Sequence, residues 1–376
     1  MSWMRKLAMA VSPRIANRFE RETSMSHISR LAMAVTLMIA PLAPGGPAAA
    51  TADSGAPRVT TLASFVDGPC ADDICGSGST VGPDGALYVT DSTAGRIQRI
   101  DPRSGKVSTY ADGLPLQIAG VVGGGVADIA FRGRTAYVLV NGVSEFWTDL
   151  IGSSNAPADE GIYRLDRVGS GTTRATLVAD IYSWSEENPP ANTEFFIPGG
   201  FTYAMQPYRR GFLVTDAHHN RVLRVRLDGR ISVFKDFAKN IVPTGLERVG
   251  RRTVLVGQAG PVPHKPRTGR VVALRRTGGR AALLASGAPL LVDVEVGPDG
   301  RMYGLAQGDW PYEGEAGKEG FPAAPNTGDL MVANRRGQFR TVVSGLDRPT
   351  TFEFIGRTAY VVTVTGKVLR IPGLGR

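Results

Sequence analysis

The chain has 376 residues, a formal net charge of +9, 42% hydrophobic and 20% charged residues, 47 glycines and 25 prolines. So many turn formers with ordinary apolar content exclude a helical bundle and a disordered chain, and fit many short strands joined by tight turns. The arginines are scattered, without dense basic runs interleaved with aromatic residues, so no nucleic-acid partner is expected.

The first predicted element is an export signal. Arg30 precedes an apolar run over residues 31–40, followed by Pro41-Leu42-Ala43-Pro44 and the small residues Ala48-Ala49-Ala50. A basic segment, a short apolar core and an A-x-A site predict a signal peptide over residues 1–50, cut after Ala50. The run is too short to cross a bilayer, so no membrane span is expected. Leu7-Ala8-Met9-Ala10-Val11 is echoed by Leu31-Ala32-Met33-Ala34-Val35, which makes Met25 an alternative start. Loss of residues 1–50, which hold six basic residues and two acids, lowers the net charge from +9 to about +5. The mature segment, residues 51–376, is then periplasmic or extracellular. Its two cysteines, Cys70 and Cys75, predict a local disulfide in that oxidising compartment. A zinc site is disfavoured, because two thiols have no matching histidine cluster.

Beyond residue 57 short β-rich runs recur with a common pattern. They include Gly85-Ala86-Leu87-Tyr88-Val89, Arg134-Thr135-Ala136-Tyr137-Val138, Arg252-Thr253-Val254-Leu255-Val256 and Arg357-Thr358-Ala359-Tyr360-Val361. Several follow a tight turn such as Gly82-Pro83-Asp84-Gly85, itself preceded by another apolar strand, as Asp293-Val294-Glu295-Val296 precedes Gly297-Pro298-Asp299-Gly300. Third and fourth strands continue most units, as in Arg96-Ile97-Gln98-Arg99-Ile100 and Lys106-Val107-Ser108-Thr109-Tyr110. Four antiparallel strands in units of this length predict an all-β, six-bladed β-propeller. The last unit has only three strands, and Pro57-Arg58-Val59-Thr60-Thr61-Leu62-Ala63 supplies the missing outer one. That pairing closes the ring, removes an open edge and makes residues 51–376 a single domain, expected as a monomer.

In such a blade the first and third connections share one face, and the second connection shares the other with the crossing to the next blade. All long connections fall on the second face: residues 65–76, 112–125, 141–159, 180–200, 257–269 and 306–327. Rigid scaffolds carry function on loops, which makes this the expected working face. Trp147, Trp184 and Trp310 lie there with Tyr182, Phe195, Phe196, Tyr312 and Phe321, among acids such as Glu145, Asp149, Glu186, Asp309, Glu313 and Glu319. The short-turn face collects arginines instead, among them Arg134, Arg209, Arg210, Arg251, Arg252, Arg276 and Arg335. An acidic, aromatic mouth suits a cationic, aromatic or sugar-like ligand, with Trp147, Trp184, Trp310, Tyr312, His218 and His219 as candidate binding residues.

Catalytic signatures are thin. No H-E-x-x-H, G-x-S-x-G or Walker sequence occurs, so the signatures of zinc peptidases, α/β-hydrolases and P-loop NTPases are missing. Asp216-Ala217-His218-His219-Asn220-Arg221 matches Asp91-Ser92-Thr93-Ala94-Gly95-Arg96, and this recurrence favours a turn in which the aspartate accepts backbone N–H groups. On the innermost strands Asp128 and Asp293 face the channel, with Thr202 and Thr351 at matching places. They are candidate ligands for calcium or magnesium, with Glu160, Asn141 or Glu295 needed to complete the set.

Several segments together resemble the exported propellers of the ScyD/ScyE family. They are Gly125-Val126-Ala127-Asp128-Ile129-Ala130-Phe131, Gly161-Ile162-Tyr163-Arg164-Leu165, Val178-Ala179-Asp180-Ile181, Leu213-Val214-Thr215-Asp216 through Val225, and Val242-Pro243-Thr244-Gly245-Leu246. The likeness runs from about Gly82 to the end of the chain. One departure is Pro198-Gly199-Gly200-Phe201-Thr202-Tyr203, where family members commonly carry Asn-Pro-Tyr-Gly. The resemblance implies an exported propeller of the wider NHL and gluconolactonase-like group, with no firmly assigned reaction. The expected function is non-catalytic binding of a small molecule, glycan or protein partner at the long-loop face. The alternative is a metal-dependent hydrolase or lactonase. A streptogramin-lyase-like activity is disfavoured, because the inner strands hold no His/Glu pair.

Overall fold

The structure, a computed structural model, describes residues 57–66, 70, 74–168, 172–191, 197–275, 279–315, 318 and 320–375. The expected signal peptide over residues 1–50, the alternative start Met25, and Phe195, Phe196, Arg276 and Glu319 lie outside them.

The described residues form six four-stranded antiparallel sheets arranged as the blades of a β-propeller. A single strand, β1 (Thr60–Ser64), comes first. Blade 1 holds β2 (Ser79–Val81), β3 (Leu87–Asp91), β4 (Arg96–Ile100) and β5 (Val107–Ala111). Blade 2 holds β6 (Gly125–Arg132), β7 (Thr135–Asn141), β8 (Gly161–Val168) and β9 (Thr172–Asp180). Blade 3 runs through β10 (Thr202–Tyr208), β11 (Gly211–Asp216), β12 (Arg221–Arg226) and β13 (Ile231–Asp236). Blade 4 comprises β14 (Pro243–Val249), β15 (Thr253–Gln258), β16 (Gly269–Arg275) and β17 (Ala282–Ala288). Blade 5 comprises β18 (Leu291–Val296), β19 (Met302–Ala306), β20 (Gly328–Ala333) and β21 (Phe339–Leu346). Blade 6 is β22 (Pro349–Ile355), β23 (Thr358–Thr363) and β24 (Lys367–Pro372), completed on its outer edge by β1. The first strand of each blade lies innermost and touches the first strands of both neighbouring blades, so the ring is closed.

Burial peaks in the second strand of each blade and falls outward from there, and the sequence follows it. Second strands are apolar without alternation, because sheets pack against both of their faces. Every residue of β3 and β11 is buried. Outer strands return to partial exposure, as in β13 and β17. The apolar clusters sit between blades. Leu139, Ile162, Phe212 and Leu223 join blades 2 and 3, and Leu305, Leu330, Phe352 and Val361 join blades 5 and 6.

Closure follows the expected pairing. Thr60 stands opposite Arg370 and Ser64 opposite Lys367, with one irregularity between Thr61 and Ala63. Phe65 then donates its N–H to Gly366 O at 2.9 Å and packs in a cluster with Tyr360 and Val362. The Cys70–Cys75 disulfide is formed. It secures the next loop beside blade 6, where Cys75 N–H donates to Val364 O at 2.9 Å.

Two connections expected as plain loops each contain a short helix: α1 (Glu145–Ile151) and α2 (Ile181–Glu187). Seven residues are too few for a helix to stand alone in water, so tertiary packing decides both. Local signals flank both: Ser144 precedes α1 and Gly152 ends it in a left-handed conformation, and Asp180 caps α2 by accepting from Ser183 N–H at 2.9 Å.

Deleting residues 51–64 from a chain that begins at Thr51 strips β1 from the edge of β24. The expected result is a melting temperature lowered by roughly 10 °C or more, with a broadened transition and aggregation. Thermal melts with light scattering check this, and an unchanged sharp transition would contradict the role given to closure.

Candidate functional site

The inner strands of all six blades line a central cavity. Its volume is about 60 Å³, room for roughly four to six waters at 10–15 Å³ each. Two aspartates on opposite sides of the ring shape its upper tier. Asp128 accepts from its neighbour Ile129 N–H at 2.8 Å and from Met205 N–H of blade 3 at 2.7 Å. Asp293 repeats the arrangement, accepting from Val294 N–H at 2.8 Å and from Phe352 N–H of blade 6 at 3.0 Å. Thr351 adds its hydroxyl to Asp293 at 2.9 Å.

Each carboxylate therefore ties its own blade to the next. Each also needs a missing side chain behind it. A Cβ at Gly78 would overlap the Asp128 carboxylate, and one at Gly245 would overlap that of Asp293. The clamp is thus built twice, from glycine, aspartate and backbone amide on three successive blades. Its register puts Ala204, rather than Thr202, at the place matching Thr351. Thr202 instead offers its carbonyl to the Asn141 side chain.

A lower tier is more acidic than the sequence suggested. Glu247, Glu295 and Glu353 stand at equivalent positions of blades 4, 5 and 6, each partly exposed. Glu247 accepts from the Gln206 amide at 3.2 Å and from Arg248 N–H at 2.8 Å. Among the described residues, Glu295 and Glu353 have no hydrogen-bond donor and no basic partner. Burial, then the neighbouring carboxylates, push both well above the usual carboxylate range. Burial also raises Glu247 to about 7, Asp293 to about 6 and Asp128 to about 8, against the pull of their amide donors.

The other expected metal partners lie elsewhere. Glu160 accepts from Val143 N–H at 3.0 Å and Ser144 N–H at 2.9 Å, pinning the entry to α1. Among the described residues, no three of His, Cys, Asp and Glu group closely enough to hold a metal. As arranged, Asp128 and Asp293 do not by themselves make a hard-cation centre, which takes six to eight oxygens. Only Glu295, of the three residues named to complete them, shares their cavity.

On the long-loop face the candidate residues separate into two groups. Trp147 is buried and edge-on to Phe201, with ring centres 5.9 Å apart. Trp184 lies beneath the Arg221 guanidinium, 5.1 Å from the ring centre. Arg221 is itself fully buried: it pairs with Asp216 at 2.9 Å and donates to Asn188 O at 2.7 Å and Ser185 Oγ at 2.8 Å. His219 is buried beside this pair, with Nδ1 3.0 Å from Asp216 and Nε2 2.9 Å from Ile197 O. His218 Nε2 accepts from Ile197 N–H at 2.9 Å. The Asp216 turn matches the Asp91 turn as expected, and Asn220 and Gly95 share left-handed backbones (φ 54 and 58). Together these residues brace the crossing from blade 2 to blade 3.

Trp310 and Tyr312 form the second group. Trp310 is edge-on to His264 at 5.8 Å and to Tyr312 at 5.6 Å, and Tyr312 meets Phe321 at 5.7 Å. The Lys318 ammonium lies 3.8 Å from the Phe321 ring centre. Trp310 Nε1 and His264 Nδ1 are buried and have no hydrogen-bond partner among the described residues, and burial lowers the His264 imidazole to about 4. Sequence reasoning omitted His264, whose only signal was its place in a long connection.

No protein-family model matches the chain, and no curated protein matches it. Solved structures do. An oxidoreductase described as a glucose dehydrogenase from Thermus thermophilus aligns with TM-score 0.54 and 16% identity, over 84% of this chain and 99% of that one. A gluconolactonase from Xanthomonas campestris aligns with TM-score 0.50 and 15% identity, over 88% and 99%. A virginiamycin B lyase from Staphylococcus aureus, solved with quinupristin, aligns with TM-score 0.50 and 12% identity, over 84% and 99%. At such identities the likeness is one of fold: this chain has the propeller architecture found in those proteins.

The channel carboxyls bind protons more tightly folded than unfolded. Folding then takes up protons, and stability falls as pH rises from about 4 to about 8. Asp216 acts oppositely: burial opposes its charge, but His219 and Arg221 hold its carboxyl far below the usual range. Its contribution is present above about pH 4 and lost as pH falls further. Thermal melts across pH should therefore peak near pH 4–5, and Glu295→Gln with Glu353→Gln should flatten the alkaline limb. Arg221→Met, which strands buried Asp216, should cost about 3–5 kcal/mol in urea unfolding.

Proposed function

We propose that the chain is an exported, ScyD/ScyE-like propeller that binds a glycan, small molecule or protein at its long-loop face and is not itself a catalyst. The observation that carries this reading is the aromatic ladder of Trp310, Tyr312 and Phe321, flanked by His264 and Lys318. Half-exposed rings in series offer flat apolar surface to a sugar or aromatic ligand. Trp310 Nε1–H and His264 Nδ1, unpartnered among the described residues, add polar groups beside the ladder. Export is supported by the segment over residues 1–50 and by the disulfide.

A second reading, a calcium- or magnesium-dependent hydrolase of the gluconolactonase type, is favoured by one observation: Asp128, Asp293 and Glu295 share a small cavity whose described lining lacks a basic residue. No reaction step is assigned to it.

Tryptophan fluorescence on the chain from Thr51 separates the two. The binding reading expects saturable quenching by at least one member of a panel of oligosaccharides and aromatic compounds, weakened tenfold or more by Trp310→Ala. The hydrolase reading expects a calcium- or magnesium-induced rise in melting temperature, abolished by Asp128→Asn or Asp293→Asn, and turnover of a lactone. Absence of quenching across the panel sinks the first; absence of a metal-induced shift sinks the second.

A further inference from the structure

The sheet order places the first and third turns of every blade on the face opposite the long loops. In the turns of that face every described carboxylate is already engaged; the unpaired Glu295 and Glu353 lie inside the channel on the adjoining inner strands. Asp84 pairs with Arg99 at 2.7 Å, Asp166 with Arg164 at 2.8 Å, and Asp228 with Arg230 at 2.6 Å and Arg226 at 3.3 Å. Asp299 pairs with Arg301, and Asp101 accepts the turn amides of Arg103 and Ser104. A second set of arginines is left over. Arg134, Arg209, Arg210, Arg251, Arg252, Arg335 and Arg336 are exposed and have no ion pair among the described residues. They project from turns of blades 2, 3, 4 and 5.

We infer that this face docks on an anionic lipid surface. Three features of the arginines select that partner. They are spread over four adjacent blades rather than converging on one pocket, which suits a planar anion array better than a small ligand. They are guanidinium groups, whose forked donors match phosphate oxygens. Exposed apolar side chains also stand among them: Leu227, in the turn after β12, is 40% exposed, and Val249, beside Arg251 and Arg252, is 39% exposed. Apolar residues within a basic rim enter the boundary between headgroups and acyl chains, which a soluble polyanion does not offer. Docked this way, the ring turns its long-loop face, with exposed Glu145, Asp149, Glu186 and Asp309, away from the bilayer. Repulsion between those acids and anionic lipid favours the same orientation.

The test is co-sedimentation of the chain from Thr51, which contains every strand of the closed ring, with vesicles. One set is pure phosphatidylcholine; the other contains roughly 30% phosphatidylglycerol, enough to give the surface a negative potential. Binding is expected only to the anionic vesicles, falling steeply with salt. Each arginine near such a surface contributes about fivefold to partitioning. Arg209→Gln, Arg210→Gln, Arg251→Gln and Arg252→Gln together should therefore weaken binding tenfold or more. A control that removes equal charge from the other side, Lys239→Gln, Lys265→Gln, Arg267→Gln and Lys367→Gln, should stay within twofold. Leu227→Ser with Val249→Ser should weaken vesicle binding while leaving retention on dextran sulfate unchanged. All variants are surface changes, and matching melting temperatures confirm that they fold; Arg335→Gln with Arg336→Gln serves if the quartet does not. No binding to anionic vesicles, equal loss in the control quartet, or binding to dextran sulfate without vesicle binding each overturns the proposal.

Discussion

The whole molecule depends on one strand pair, that of β1 with β24. Blades bury their apolar faces only against one another, so an open ring would leave two such faces bare. The entropy of joining distant ends grows only with the logarithm of their separation. Closing the ring is therefore cheap compared with the apolar area that it protects. The chain reinforces the seam after β1 as well: Phe65 joins the cluster between blades 6 and 1, and the Cys70–Cys75 bridge holds the following loop beside blade 6.

Within the closed ring, the axis carries two kinds of acid with opposite physical effects. Asp128 and Asp293 direct their oxygens to backbone amides of neighbouring blades, and so act as struts. Gly78 and Gly245 make room for them. Glu295 and Glu353 do no such work. They crowd one side of the channel near Glu247, and together with burial their mutual repulsion raises the cost of ionisation in all three. The channel is therefore a rigid frame around a local electrostatic load, and it is small.

The molecule's sidedness comes from blade topology. Short turns leave one face flat, where arginines neutralise the few carboxylates and remain in excess. Long connections build the other face, and there the structure divides the aromatic residues by task. Trp147 and Trp184 are packed into the scaffold, Trp184 under the buried Arg221, whereas Trp310 and Tyr312 belong to a ladder over blades 4 and 5. The same fold occurs in proteins described as a dehydrogenase, a gluconolactonase and a lyase. The architecture sets no single chemistry, so function must be argued from these sites.

Repetition made the fold legible in the sequence. Each blade reuses the same strand and turn chemistry, so the count of six blades, the closing strand, the segregation of long loops and the disulfide pairing could all be read locally. The aspartate turns at Asp91 and Asp216 were legible for the same reason. Channel contents were only half legible. Asp128 and Asp293 stood out as acids in apolar strands, but the crescent of Glu247, Glu295 and Glu353 depends on cross-blade register, which no single repeat contains. Likewise His219 and Trp184 read as loop residues until the buried Asp216–Arg221 pair drew them inward. The sequence by itself determined which segments become strands and which face receives each loop, because those follow from local periodicity. Only the tertiary structure decided which side chains meet across blades, because that depends on contacts between residues far apart in the chain.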